Sequence, residues 1–198
     1  MPVFQESFGS YTFDGDVIEG THNGFRFVAT VHRDPDYGAP WDEHDGHGPV
    51  SDWVCRDKLP GELILCEDRG FKRFYDFAEA CRIARREGWG CEEGRQEGES
   101  LRAYASRAAR RDFEALRAWC NGDWARCGIT VRAFDPDGEE LTGEYDFALW
   151  GIEMNYPGSD NSYLCEVAND LAQEIVDSVI APIEQAKAMV AALGNAGG

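Results

Sequence analysis

The residues best suited to chemistry gather in one stretch, "WDEHDGHGPVSDW" at 41–53, where His44 and His47 stand among Asp42, Glu43 and Asp45. Neutral imidazole nitrogens and carboxylate oxygens within six residues are a donor set that suits a divalent metal. The spacing is H-x-x-H, not the H-E-x-x-H of a zinc helix, and no other segment supplies an obvious further ligand. Gly46 and Gly48 make the stretch a loop, so its ligands are not preorganised. A metal-dependent enzyme built on His44, His47 and Asp45 is therefore an alternative reading, and the primary expectation is no catalytic residue, no metal and no cofactor. Trp41 and Trp53 close the loop at its ends. They read as staples onto the core, or as exposed interface anchors, since aromatic side chains dominate binding hot spots.

Other catalytic signatures are missing. The chain has no G-x-S-x-G and no phosphate-binding glycine loop, and "GHGPVS" is not a dinucleotide fingerprint. Its seven cysteines are irregularly spaced without a C-x-x-C, which encodes neither a zinc site nor a disulfide framework. "ALWGIEMNYPGSDNSY" (148–163) reads as a strand end, a Pro157-Gly158 turn and a capped helix start.

The elements that would carry these residues follow from periodicity. "GFRFVATVHRD" (24–34) alternates Phe25, Phe27, Ala29 and Val31 against Arg26, Val28, Thr30 and His32, and Asn23-Gly24 marks a tight turn before it. An antiparallel meander is expected over about 3–34, with a short strand at 60–68. "FKRFYDFAEACRIARREG" (71–88) spaces Phe74, Phe77, Ala78, Cys81 and Ala84 as a helix that Gly88 stops. A second helix is expected from Glu99 to Trp124. A hairpin follows, with arms at 128–134 and 140–152 around "DPDG". The C-terminal helix shows Leu164, Val167, Leu171, Ile175, Val179 and Ile183 on one stripe, and Pro182 should kink or split it. The expected class is α+β: an antiparallel sheet covered by helices, with a long C-terminal helix kinked near Pro182. One domain is expected over 1–198: 1–68 mainly β, 69–125 helical, 126–152 a β-hairpin and 160–193 the C-terminal helix.

Charge is the strongest global feature, with 37 acids against 19 bases and a net charge of −18. Residues 1–68 carry 14 acids and 4 bases, 69–117 carry 9 and 12, and 118–198 carry 14 and 3. Such a surface repels nucleic-acid phosphates and attracts proteins that bind them, although acid excess also simply keeps a protein soluble. The central arginines, Arg82, Arg85, Arg86, Arg107, Arg110 and Arg111, are expected to pair with acids of this chain or of a second subunit. No apolar run reaches a membrane span and the first residues lack a signal-peptide pattern, so a cytoplasmic protein without membrane contact is expected.

Four stretches carry a family resemblance: "GHGPVSDW" (46–53), "RDKLPGE" (56–62), "RFYDFAEACRIARREGWG" (73–90) and "ALWGIEMNYPGSDNSYLCEVANDL" (148–171). They resemble a group of short acidic proteins carried by bacterial phages, prophages and other mobile elements, a group without assigned catalytic residues. The resemblance implies an acidic residue at the place of His44, which speaks against a His44–His47 pair. It also implies a mobile-element setting, where compact acidic proteins inhibit restriction or CRISPR machinery, some by imitating DNA charge. The expectation is an acidic inhibitor in the bacterial cytoplasm that binds a host nucleic-acid-handling defence complex by DNA mimicry. Asp42, Glu43 and Asp45 of the loop, with Asp135, Asp137, Glu139, Glu140 and Glu144 of the hairpin, are its expected acidic face. A phage accessory protein that oligomerises through its helices, with no host target, is the third reading.

Overall fold

Asn23 and Gly24 take φ of 50° and 86°, the left-handed pair that a two-residue hairpin turn requires. In the computed structural model, which describes residues 2–43, 46–91 and 93–196, this turn joins strands β1 (Val17–His22) and β2 (Phe25–Arg33). Helix α1 (Pro40–Glu43), strands β3 (Val50–Trp53), β4 (Glu62–Asp68) and β5 (Phe71–Asp76), and helices α2 (Phe77–Glu87) and α3 (Leu101–Asn121) follow. Strands β6 (Ala125–Phe134) and β7 (Ala148–Met154) come next. The chain ends in α4 (Ser162–Ile175), a π-helical turn (Val176–Ile180) and α5 (Ala181–Ala196). The class is α+β, as the patterning predicts. The chain divides into two compact units: residues 1–34 with 125–198, and residues 35–124 inserted between β2 and β6.

In the first unit the antiparallel sheet runs β1-β2-β6-β7. Phe27, Ala29 and Val31 of β2 and Cys127, Ile129, Val131 and Ala133 of β6 are fully buried, together with Leu164, Ala168, Ala172 and Ile175 of α4. The next core residue is Ile180, a five-residue step from Ile175, and Val179 is only partly buried. The π turn causes this step, since Ala181 N–H bonds to the Val176 carbonyl five residues back. It sits directly before Pro182, which has no N–H for the Ser178 carbonyl, and the Ser178 hydroxyl donates to the Glu174 carbonyl as well.

Residues 2–16 differ from expectation: they form no strand. Several of their backbone groups bond instead to asparagine side chains. Asn169 Oδ1 accepts from Phe4 N–H, Asn155 Oδ1 accepts from Thr12 N–H, and Asn161 Nδ2 donates to the Ser10 carbonyl. Asn155 and Asn161 both take φ of 61°, a conformation that asparagine tolerates better than most residues. The second arm of the expected hairpin also differs. It begins at Ala148, and a single bridge, Phe134 to Glu140, stands in for the region nearer the turn.

In the second unit the sheet order is β3-β5-β4, and Leu65, Tyr75, Ala80, Ala109, Phe113 and Leu116 form the core. Residues 71–76, expected at the start of a helix within the helical segment 69–125, are the central strand. Phe74 and Tyr75 point to opposite faces and both are fully buried, which an aromatic strand between two partners permits. The helix starts one residue later because the Asp76 side chain caps it by accepting from Glu79 N–H, and Gly88 ends it in a left-handed conformation. Helix α3 is capped by Ser100 and Gly122. Four of the central arginines pair within the unit: Arg82 with Glu79, Arg86 with Glu87, Arg107 with Glu99 and Arg111 with Glu93.

Two predictions follow from these fixings. Replacing Asn161 by Ala removes its bonds to Asn155 and Ser10 at a site 2% exposed, and denaturant unfolding should show a loss of about 2–3 kcal/mol; a loss near zero would contradict the assigned role. The Arg107 guanidinium beside Glu99, with the Gln96 N–H, holds the Glu99 carboxyl down at about 2 from an ordinary 4.5. This pairing stabilises the fold above the ordinary carboxylate range and is lost as pH falls toward 2. In Arg107→Gln, carboxyl NMR should find the Glu99 midpoint moved up toward its ordinary value, and an unchanged midpoint would refute the assignment.

Candidate functional site

The opening loop is fastened by a carboxylate that lies 65 residues away. His47 Nδ1 is 2.6 Å from Asp112 Oδ1, while Asp112 Oδ2 accepts from Gly48 N–H at 2.8 Å and from Tyr75 O–H at 2.6 Å. Asp112 comes from α3, Tyr75 from β5 and His47 from the loop, so one side chain, 9% exposed, ties three segments together. Burial, and then the Asp112 charge, push the Tyr75 phenol well above its ordinary value, so Tyr75 stays a donor. Gly48 is required by close approach: a Cβ there would lie 2.5 Å from the Tyr75 ring. A carboxylate that orients a partly exposed imidazole is also an arrangement used in general acid–base catalysis. Among the described residues no group of three His, Cys, Asp or Glu is placed to hold a metal. His44 and Asp45 lie outside the described residues. Asp112 was missed by sequence reasoning, although its place beside Ala109 and Leu116 on the apolar flank of α3 is a signal.

The two tryptophans play different parts. Trp41 packs edge-on against Trp119 at 5.1 Å, and Arg73, paired with Asp52, lies 4.6 Å over its ring. Trp53 is 45% exposed. Its ring stacks 4.4 Å from the Arg56 guanidinium, whose other side covers Phe74 at 4.5 Å while it holds Glu62 through two bonds. Trp41 is a staple, and Trp53 is stacked yet open to contact.

The expected acidic face divides between the units. Asp42 and Glu43 are exposed in α1 of the second unit. The hairpin acids belong to the first, where Asp137, Glu139, Glu140 and Glu144 are exposed. Asp135 is half-buried and organises the turn by accepting from the Asp137 and Glu139 N–H groups. Glu140 stands 3.9 Å from Arg132.

Sequence reasoning missed two further features of this unit. Glu166, Asp170, Glu174 and Asp177 form an exposed row along α4 and the π turn, with the first three about 6 Å apart per step at helical rise. Tyr145, Leu149 and Trp150 are 59%, 44% and 42% exposed. Trp150 lies over Gly128, where a Cβ would come within 2.3 Å of its ring, and His32 packs beside both Tyr145 and Trp150 while its Nε2 meets Thr130 Oγ1 at 2.9 Å. Residues 1–34 and 125–198 hold 18 acids against 5 bases, and residues 35–124 hold 19 against 14. The charge imbalance thus belongs mostly to the first unit.

The chain matches no protein-family model, no curated protein and no solved structure.

Replacing Asp112 by Ala strands the Tyr75 hydroxyl and the Gly48 N–H without their acceptor. Equilibrium unfolding should register a loss of about 2–4 kcal/mol, and the His47 ring resonances should shift in NMR spectra. A loss under about 1 kcal/mol with unmoved resonances would mean that Asp112 does not hold the loop.

Proposed function

We propose that this chain is a non-enzymatic acidic protein that occupies the nucleic-acid site of a basic host protein complex. The observation that carries this reading is a single run: residues 133–186 contain 13 acids and no Lys, Arg or His. Carboxylates of that run stand exposed on the hairpin and along α4. Rows of fixed negative charge fit Lys/Arg grooves built for phosphates, because guanidinium and ammonium groups pair with either anion. The exposed Tyr145 and Trp150 supply the apolar anchor that charge alone lacks, since hot spots favour aromatic rings ringed by polar groups. The mobile-element setting implied by the sequence resemblance supports a restriction or CRISPR complex in the bacterial cytoplasm as the target. Direct binding to nucleic acid is opposed by the net charge of −18. Among the described residues no helix is long and apolar enough to cross a membrane.

A second reading, an oligomeric accessory protein, rests on Met189, Val190 and Leu193, which are exposed near the end of α5. Sedimentation across a concentration series separates the two readings, because self-association through these residues is abolished by Leu193→Glu.

The proposal is tested by capture from bacterial lysate. Nucleic-acid-binding proteins should be recovered at about 0.1 M salt and lost at about 1 M salt, where charges are screened beyond a few ångströms. Competing duplex DNA should also release them. The variant Glu166→Gln, Asp170→Asn, Glu174→Gln, Asp177→Asn should retain at least tenfold less. Recovery that ignores salt, DNA and these four substitutions would overturn the reading.

A further inference from the structure

A groove of about 640 Å³ runs between β4 and α3 in the second unit, lined by residues 63–67, by Arg110, Phe113, Arg117 and Asn121, and by Lys58. Successive strand residues point to opposite faces, so a groove touching all of 63–67 follows the edge of β4 and does not lie over one face. That edge is open. The sheet order leaves β4 paired with β5 alone, and among the described residues no strand pairs with its outer side.

The charge beside this edge is opposite in sign to the chain as a whole. Lys58, Arg110 and Arg117 are exposed, and among the described residues none has a carboxylate within ion-pair distance. Their neighbours Arg107 and Arg111 are taken by Glu99 and Glu93. Arg110 is held instead by rings, 4.6 Å over Phe77 and 5.7 Å over Phe113. Glu67, an acid on the lining, is 3.6 Å from Lys72. Buried Leu65 and Phe113 supply an apolar floor.

We propose that this groove binds an extended acidic peptide of a partner protein, which adds to β4 as a fourth strand. Main-chain hydrogen bonds to the open edge give affinity, and the flanking side chains select the sequence. Arg110 and Arg117 lie two helical turns apart, about 10 Å, which an extended peptide spans in about three residues. Carboxylates two or four positions apart lie on the same side of an extended peptide and therefore reach both guanidiniums, while the intervening side chains point to the opposite face. Charge and backbone chemistry choose this occupant. A second copy of this chain would bring −18 against −18, and a nucleic acid has no peptide groups to pair with a strand edge.

Fluorescence anisotropy of a labelled peptide alternating Glu and Val, titrated with the full chain, tests the proposal. Saturable binding is expected, with β4 amide resonances shifting in NMR spectra of the same titration. Arg110→Gln with Arg117→Gln should weaken binding at least tenfold while thermal unfolding stays unchanged. Methylating alternate backbone nitrogens of the peptide, which leaves the protein untouched, should weaken it at least tenfold as well. The proposal is overturned if the Glu-Val peptide does not bind, if a Lys-Val peptide binds equally, if the methylated peptide keeps its affinity, or if a duplex oligonucleotide binds the groove more tightly than the peptide.

Discussion

Eighteen carboxylates sharing five lysines and arginines in residues 1–34 and 125–198 cannot neutralise one another, and the construction of this unit answers to that constraint. Its stability comes from an apolar interior between the four-stranded sheet and α4, since ion pairs are too few to matter and surface pairs are worth little. Several acids act as backbone acceptors where a loop has spare N–H groups. Asp14 holds Arg33 N–H, Asp16 holds Phe13 N–H, Asp146 holds Gly143 N–H and Asp160 holds Ser162 N–H. The row from Glu166 to Asp177 has no such duty for most of its members, apart from Asp177, which accepts from Gln173. Like charges on one face oppose the compact state. A basic partner of the kind proposed would relieve that repulsion, so its binding would also stabilise the fold.

The inserted unit follows another rule. Its 19 acids face 14 bases, and several of its arginines are used internally. Arg56, Arg73 and Arg107 each grip a carboxylate through two bonds and lie over an aromatic ring, a geometry that lysine cannot reproduce. Asp112 does the same work for the loop from below. In the loop at 41–53, His47 and Gly48 are the fastenings to Asp112 and Trp41 is the staple.

Local signals were legible in the sequence and distant ones were not. Asn23-Gly24, Gly88 and Pro182 each impose a backbone geometry on their own neighbours, so the hairpin, the end of α2 and the disturbance in the C-terminal helix could be read directly. Residues 71–76 misled because Phe74, Phe77 and Cys81 fall at helical spacing by accident, while the burial of both faces that makes 71–76 a central strand depends on partners elsewhere in the chain. Residues 2–16 carry apolar residues as a strand would, yet the N–H groups of Phe4 and Thr12 are met by asparagines beyond position 150. The partnership of His47 with Asp112 and the exposure of Tyr145 and Trp150 depend on tertiary packing and leave little trace in spacing. The acid-only run at 133–186 was visible all along as composition, but its display on α4 needed the helix face that faces away from the sheet.

The most direct measurement is competition. A captured nucleic-acid-binding partner, purified and mixed with a labelled duplex, should show an apparent Kd for DNA that rises in proportion to the concentration of this protein. That dependence should vanish when Glu166, Asp170, Glu174 and Asp177 are made neutral amides. A DNA affinity that stays constant while the partner is saturated with this protein would contradict occupation of the phosphate site by these carboxylates.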